Sequence, residues 1–85
     1  MKYVLSSIYD RRSKQYSLPQ ASLNKEVLIR NTKAAINAGG TLLNQFPEDF
    51  DLVVLGEFDC DTGVITPNIE ILGCLGGDSS VLLKK

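Results

Sequence analysis

The chain has 85 residues, of which 44% are hydrophobic and 22% charged, and its formal net charge is −1. That length supports one domain with a small core, and that balance of apolar and charged residues excludes a disordered chain. No apolar run approaches the ~18 residues of a membrane span, and the N-terminus lacks the apolar core of a secretory signal, so both cysteines are expected as reduced thiols in a cytoplasm.

Residues 2–9 read as a strand, with Tyr3, Val4, Leu5, Ile8 and Tyr9 around Ser6 and Ser7. Residues 10–14 are polar and turn-like. Residues 15–20 return as a second strand, with Tyr16 and Leu18 on one face and Pro19 restricting it to an edge. Ser22 is the expected N-cap of a helix over residues 23–38, with Glu26 in the first turn, where the helix dipole favours an anion. Its apolar stripe is expected at Leu23, Val27, Ala34 and Ala38, widened by Leu28 and Ala35. Glu26, Arg30, Lys33 and Asn37 fall opposite. Gly39 and Gly40 stop the helix, because glycine accepts the left-handed backbone past a helix end.

Residues 42–50 read as irregular, around Pro47. Residues 51–59 form a strand with apolar side chains on both faces, hence a central one. A turn built on Asp61 and Gly63 leads to a hairpin partner over residues 64–72, where Pro67 marks an edge or a bulge. The expected fold class is α+β: a small ββαββ unit, a mostly antiparallel sheet with one helix packed on one face. Residues 1–73 would be a single domain and residues 74–85 a glycine-rich C-terminal tail. One helix covers one sheet face. Val53, Leu55 or the tail's Val81, Leu82 and Leu83 are then expected to find partners in a second copy, which makes a homo-oligomer the expected state.

Catalytic chemistry is scarce. The absence of histidine removes the commonest general base and every Ser–His or Cys–His arrangement. There is no phosphate-binding glycine loop and no metal-spaced Cys/His set, so no enzyme activity and no cofactor is expected. The stretch from Asp59 to Glu70 imitates a calcium loop at its third and twelfth positions. Its glycine is one place early and Pro67 takes the ninth place, so a hairpin turn is the expectation. Glu48, Asp49 and Asp51 read as a solvated loop rather than a metal site. Cys60 and Cys74 would lie on the order of 30 Å apart along such a hairpin, too far for a disulfide.

The small net charge conceals a split. Residues 1–42 hold Lys2, Arg11, Arg12, Lys14, Lys25, Arg30 and Lys33 against Asp10 and Glu26, whereas residues 43–83 hold carboxylates and no cation. The halves either form opposite faces, dock plus to minus between copies, or interleave and neutralise one another. In "IYDRRSKQY", Tyr9 and Tyr16 bracket Arg11, Arg12 and Lys14. Those cations suit phosphates and the rings suit unstacked bases, with Lys25, Arg30 and Lys33 as outer support. An ordinary solvated turn is the plainer alternative.

Ser7, Ile8, Tyr9 and Asp10, then "PEDF" with Leu52, then "LGEFD" and Gly63 occur in an ordered set over residues 1–66. The set resembles the small nonstructural protein of gokushovirus-type microviruses, phages with single-stranded DNA. The resemblance implies a phage protein made in the cytoplasm of the infected bacterial host and not kept in the capsid. It implies DNA binding and a part in the switch from duplex replication to single-stranded genome synthesis, and with the tyrosines and cations of the turn the expected partner is single-stranded DNA. It supplies no catalytic residues, and the longer tail after Leu72 and the Gly39–Gly40 pair depart from the pattern. An alternative is a module that docks a phage replication or packaging protein through its acidic half.

Overall fold

In the computed structural model, which describes residues 1–75, the first alternating stretch becomes β1 (Lys2–Asp10). Asp10 turns the chain: its carboxylate accepts the Arg12 N–H at 2.9 Å and its carbonyl accepts the Lys14 N–H at 2.7 Å. The returning edge strand is split into β2 (Gln15–Tyr16) and β3 (Gln20–Ser22), both antiparallel to β1. The break falls at Ser17–Leu18–Pro19, where proline has no N–H for a ladder. The Ser17 hydroxyl accepts the Ile8 N–H at 3.0 Å, and the Ser7 hydroxyl donates to the Ser17 carbonyl at 2.8 Å.

Helix α1 spans Lys25–Ala38 and is capped by Asn24, whose side-chain oxygen accepts the Val27 N–H at 2.8 Å. Ser22 is not the cap, because it pairs with Val4 in β3. The buried face is also rotated from the expected one. Leu28, Ile29 and Thr32 are buried and Ile36 packs beside them, while Leu23, Ala34 and Ala38 are exposed. Thr32 makes the difference: its hydroxyl donates to the Leu28 carbonyl at 2.8 Å, so its methyl can be buried without an orphaned polar atom. Glu26, Arg30 and Asn37 stay exposed on the far side.

Gly39 and Gly40 end the helix with φ of 78° and 76°. The stretch expected to be irregular contains α2 (Leu42–Gln45), capped by Thr41, and a 3-10 turn at Pro47–Asp49. They deliver the chain to β4 (Phe50–Asp59), the central strand, with β5 (Ile65–Cys74) beyond it. The sheet order is β2-β1-β4-β5, with β3 also on β1, and every pairing is antiparallel. The α+β architecture with one main helix on one sheet face is therefore as the sequence indicates.

Alternation sorts β4. Phe50, Leu52 and Val54 join Leu28 and Ile29 in the core under α1. Val53 alternates to the opposite face, between Ser7 of β1 and Ile71 of β5, and is 1% exposed. At Gly56 the register shifts toward both neighbours. A Cβ there would lie 2.1 Å from the Thr66 carbonyl oxygen, so only glycine lets the backbones approach so closely. The β4–β5 turn is organised by Asp59 rather than Asp61: its carboxylate accepts the Asp61 N–H at 2.9 Å, and its carbonyl accepts the Gly63 N–H at 2.8 Å.

Leu75 packs into the core, 6% exposed, and its N–H donates to the Phe50 carbonyl at 2.9 Å. Cys74 and Leu75, the last described residues, thus pack with the sheet and the core. Val81, Leu82 and Leu83 lie outside the described residues.

Candidate nucleic-acid interface

Tyr9 and Tyr16 are cross-strand partners, and their ring centroids lie 4.8 Å apart at a 49° tilt. Tyr9 also pairs with Asp51 on β4. Because Phe50 and Leu52 flank Asp51 and face α1, the tyrosines and Asp51 belong to the opposite face of the sheet. Tyr16 is 54% exposed and leaves part of its ring open to solvent. Lys14 sits beside it in the turn with φ 61°, a left-handed conformation that a non-glycine residue adopts at a cost of about 1–2 kcal/mol.

The two arginines of the turn are engaged. Arg11 donates from Nη2 to Asp51 Oδ1 at 2.6 Å, from Nε to Asp51 Oδ2 at 3.1 Å and from Nη1 to the Glu48 carbonyl at 3.2 Å. Hydrogen bonding to Asp51, with its charge, raises the Arg11 pKa above its ordinary value. Arg12 meets Asp49 at 3.5 Å with its side chain 82% exposed.

The remaining candidates sit elsewhere. Lys25, at the start of α1, pairs with Glu70 of β5 at 2.6 Å. Arg30 and Lys33 lie further along α1 and take part in none of the five ion pairs among the described residues. The structure therefore brings Tyr9, Tyr16, Arg11, Arg12 and Lys14 together and leaves Lys25, Arg30 and Lys33 on the helix-covered side. Of the three arrangements open to the charge split, interleaving is the one adopted. Asp49, Asp51, Glu57 and Glu70 of the second half each take a cation from the first. Asp49 and Asp51 are the site residues that sequence reading missed in this role, and the opposite charge of the two halves was the only hint of them.

The calcium-like spacing resolves into a plain β-hairpin, with Glu70 committed to Lys25. Among the described residues no cluster of His, Cys, Asp and Glu could hold a metal ion. Cys60 is exposed and Cys74 half-buried, both as free thiols. No helix among the described residues is long and apolar enough to cross a membrane.

A tyrosine pair beside a cationic turn, on an antiparallel sheet with one main helix packed on it, defines a small α+β module. The chain belongs to the Phage ORF5 protein family, whose model matches residues 3–75. It is 35% identical over 65 residues to Protein ORF5 of Chlamydia phage 1, an overlap of 72% of this chain and 68% of that protein. It is accordingly a small phage protein of microviruses, in agreement with the resemblance seen in its motifs. No solved structure matches it.

Proposed function

We propose that the chain binds single-stranded DNA without catalysing a reaction, in the cytoplasm of the infected bacterium, and thereby assists the switch to single-stranded genome synthesis. The observation that carries this reading is the Tyr9–Tyr16 pair with Arg12 and Lys14 in the adjoining turn. A base stacked on the open part of Tyr16 contributes about 1–3 kcal/mol, with little dependence on sequence. Phosphates on either side of that base meet Lys14 and Arg12. The Arg12–Asp49 contact is a surface ion pair of the kind that contributes little, so a phosphate can displace the carboxylate. Arg11 is held by Asp51 and serves chiefly to fix the turn. Lys25, Arg30 and Lys33 act as outer support for a longer strand that wraps round the sheet edge.

Fluorescence anisotropy with a labelled single-stranded oligonucleotide, titrated across salt, tests the reading. Tyr16→Ala should weaken binding by roughly five- to a hundredfold. Arg12→Ala with Lys14→Ala should flatten the slope of log K against log salt by about 0.7 per lost phosphate contact. Absence of binding at about 50 mM salt would overturn the proposal.

A further inference from the structure

On the sheet face opposite α1, Val53 and Ser7 are buried, but the β5 side of the face is open, and alternation along three strands makes it apolar. On β5, Glu70 reaches Lys25 of α1, so its neighbours Ile69 and Ile71 point the other way, 62% and 67% exposed. Thr66 lines a cleft with Lys25 and Val54 on the helix side, so Ile65, 60% exposed, shares the open face. Across the sheet Ile65 pairs with Phe58 and Phe58 with Tyr3, while Ile71 pairs with Val53. The same alternation sends the charged residues at this end of the sheet, Lys2, Glu57, Asp59 and Glu70, to the helix side.

We propose that the end of this face carrying Ile65, Ile69 and Ile71 is the contact between two copies of the chain, packed sheet against sheet about a two-fold axis and leaving the Tyr9–Tyr16 end open, in addition to the DNA reading. Three physical points select a second copy. Ile65, Ile69 and Ile71 offer roughly 100 Å² of apolar surface each. With the half-buried Tyr3, Leu5 and Phe58 the patch comes to roughly 500 Å², at the upper end of what a monomer leaves bare, and two copies would together bury about 1,000 Å², the lower bound of a specific interface and in keeping with a weak dimer. A two-fold contact must be self-complementary, and a face without free charge brings no like charges together; Asp51, at its far end, is already neutralised by Arg11. The absence of a cation among these six side chains gives a polyanion nothing to hold there. Face-to-face sheets pack about 10 Å apart, which the branched isoleucines can fill by interdigitation.

Sedimentation velocity of the full chain from about 1 to about 100 µM tests this. The expected result is a monomer–dimer equilibrium with a micromolar dissociation constant. Ile69→Lys combined with Ile71→Lys should weaken it by at least about tenfold while the far-ultraviolet circular dichroism is unchanged, since both side chains are largely exposed in one copy. Ile69→Ser alone, a milder change, should weaken it less and guards against a folding defect in the double variant. A monomer throughout the range, as when the chain's own tail covers the face, overturns the proposal. So does a dimer whose constant ignores both variants, or one that dissociates as single-stranded oligonucleotide is added. Arg12→Ala should leave the dimer intact whatever its effect on DNA, so failure of one reading is distinguishable from failure of the other.

Discussion

Arg11 and Asp51 face each other as a bidentate pair, at 2.6 and 3.1 Å, and join the β1–β2 turn to the start of β4 across 40 residues of sequence. With Arg12–Asp49 beside it, this pair sets the electrostatics of the turn. The cations there are partly spent on holding the fold, so how free they are for any other anion depends on Asp49 and Asp51.

Neutralising those carboxylates should therefore strengthen DNA binding. Asp49→Asn leaves Arg12 without its counter-charge and is expected to tighten binding several-fold. The slope of log K against log salt should steepen by about 0.7 if one more phosphate is engaged. Asp51→Asn should act in the same direction and loosen the turn as well. Anisotropy titrations of both variants at several salt concentrations check this; weaker binding by Asp49→Asn would contradict it.

Gly56 is a steric requirement. A methyl group at this position would sit 2.1 Å from the Thr66 carbonyl oxygen, so Gly56→Ala must push β5 away from β4. The expected loss is above about 2 kcal/mol, read as a lower midpoint in urea with an unchanged slope. Gly63→Ala has open space around it and meets only the penalty of its φ of 77°, about 1–2 kcal/mol.

Asn24→Ala removes the α1 cap and should cost about 1 kcal/mol, whereas Asn24→Asp retains the acceptor and should cost much less. Thermal or urea unfolding of the two variants distinguishes the cap from a general effect of substitution.

Asp59 gives the fold an acid-sensitive joint. The Asp61 N–H donated to its carboxylate lowers its pKa below the ordinary 3.8. A depressed pKa in the folded state contributes stability that is present above 3.8 and is lost as the pH falls through the lower folded value. Unfolding midpoints measured between pH 5 and pH 2 should fall through that window, and Asp59→Asn should show a shallower decline.

The strands and the helix stop were legible because they rest on local chemistry: alternation in β1 and β4, and left-handed glycines at Gly39 and Gly40. The helix face was misjudged because two apolar stripes overlap at Leu28, and the choice between them depends on a bonded Thr32 hydroxyl that no hydropathy pattern reveals. Ser22 and Asn24 are both good caps by type. Pairing of Ser22 with Val4, a contact distant in sequence, decided between them. The tyrosines and cations of the turn were visible as residue types. Their carboxylate partners were not, because Asp49 and Asp51 approach only once β4 is laid beside β1.

Each flank of the sheet carries a proline, Pro19 between β2 and β3 and Pro67 within β5. A flank that lacks an amide donor and changes register is a poor template for another chain. Sideways recruitment into open-ended fibrils is thus discouraged at both margins.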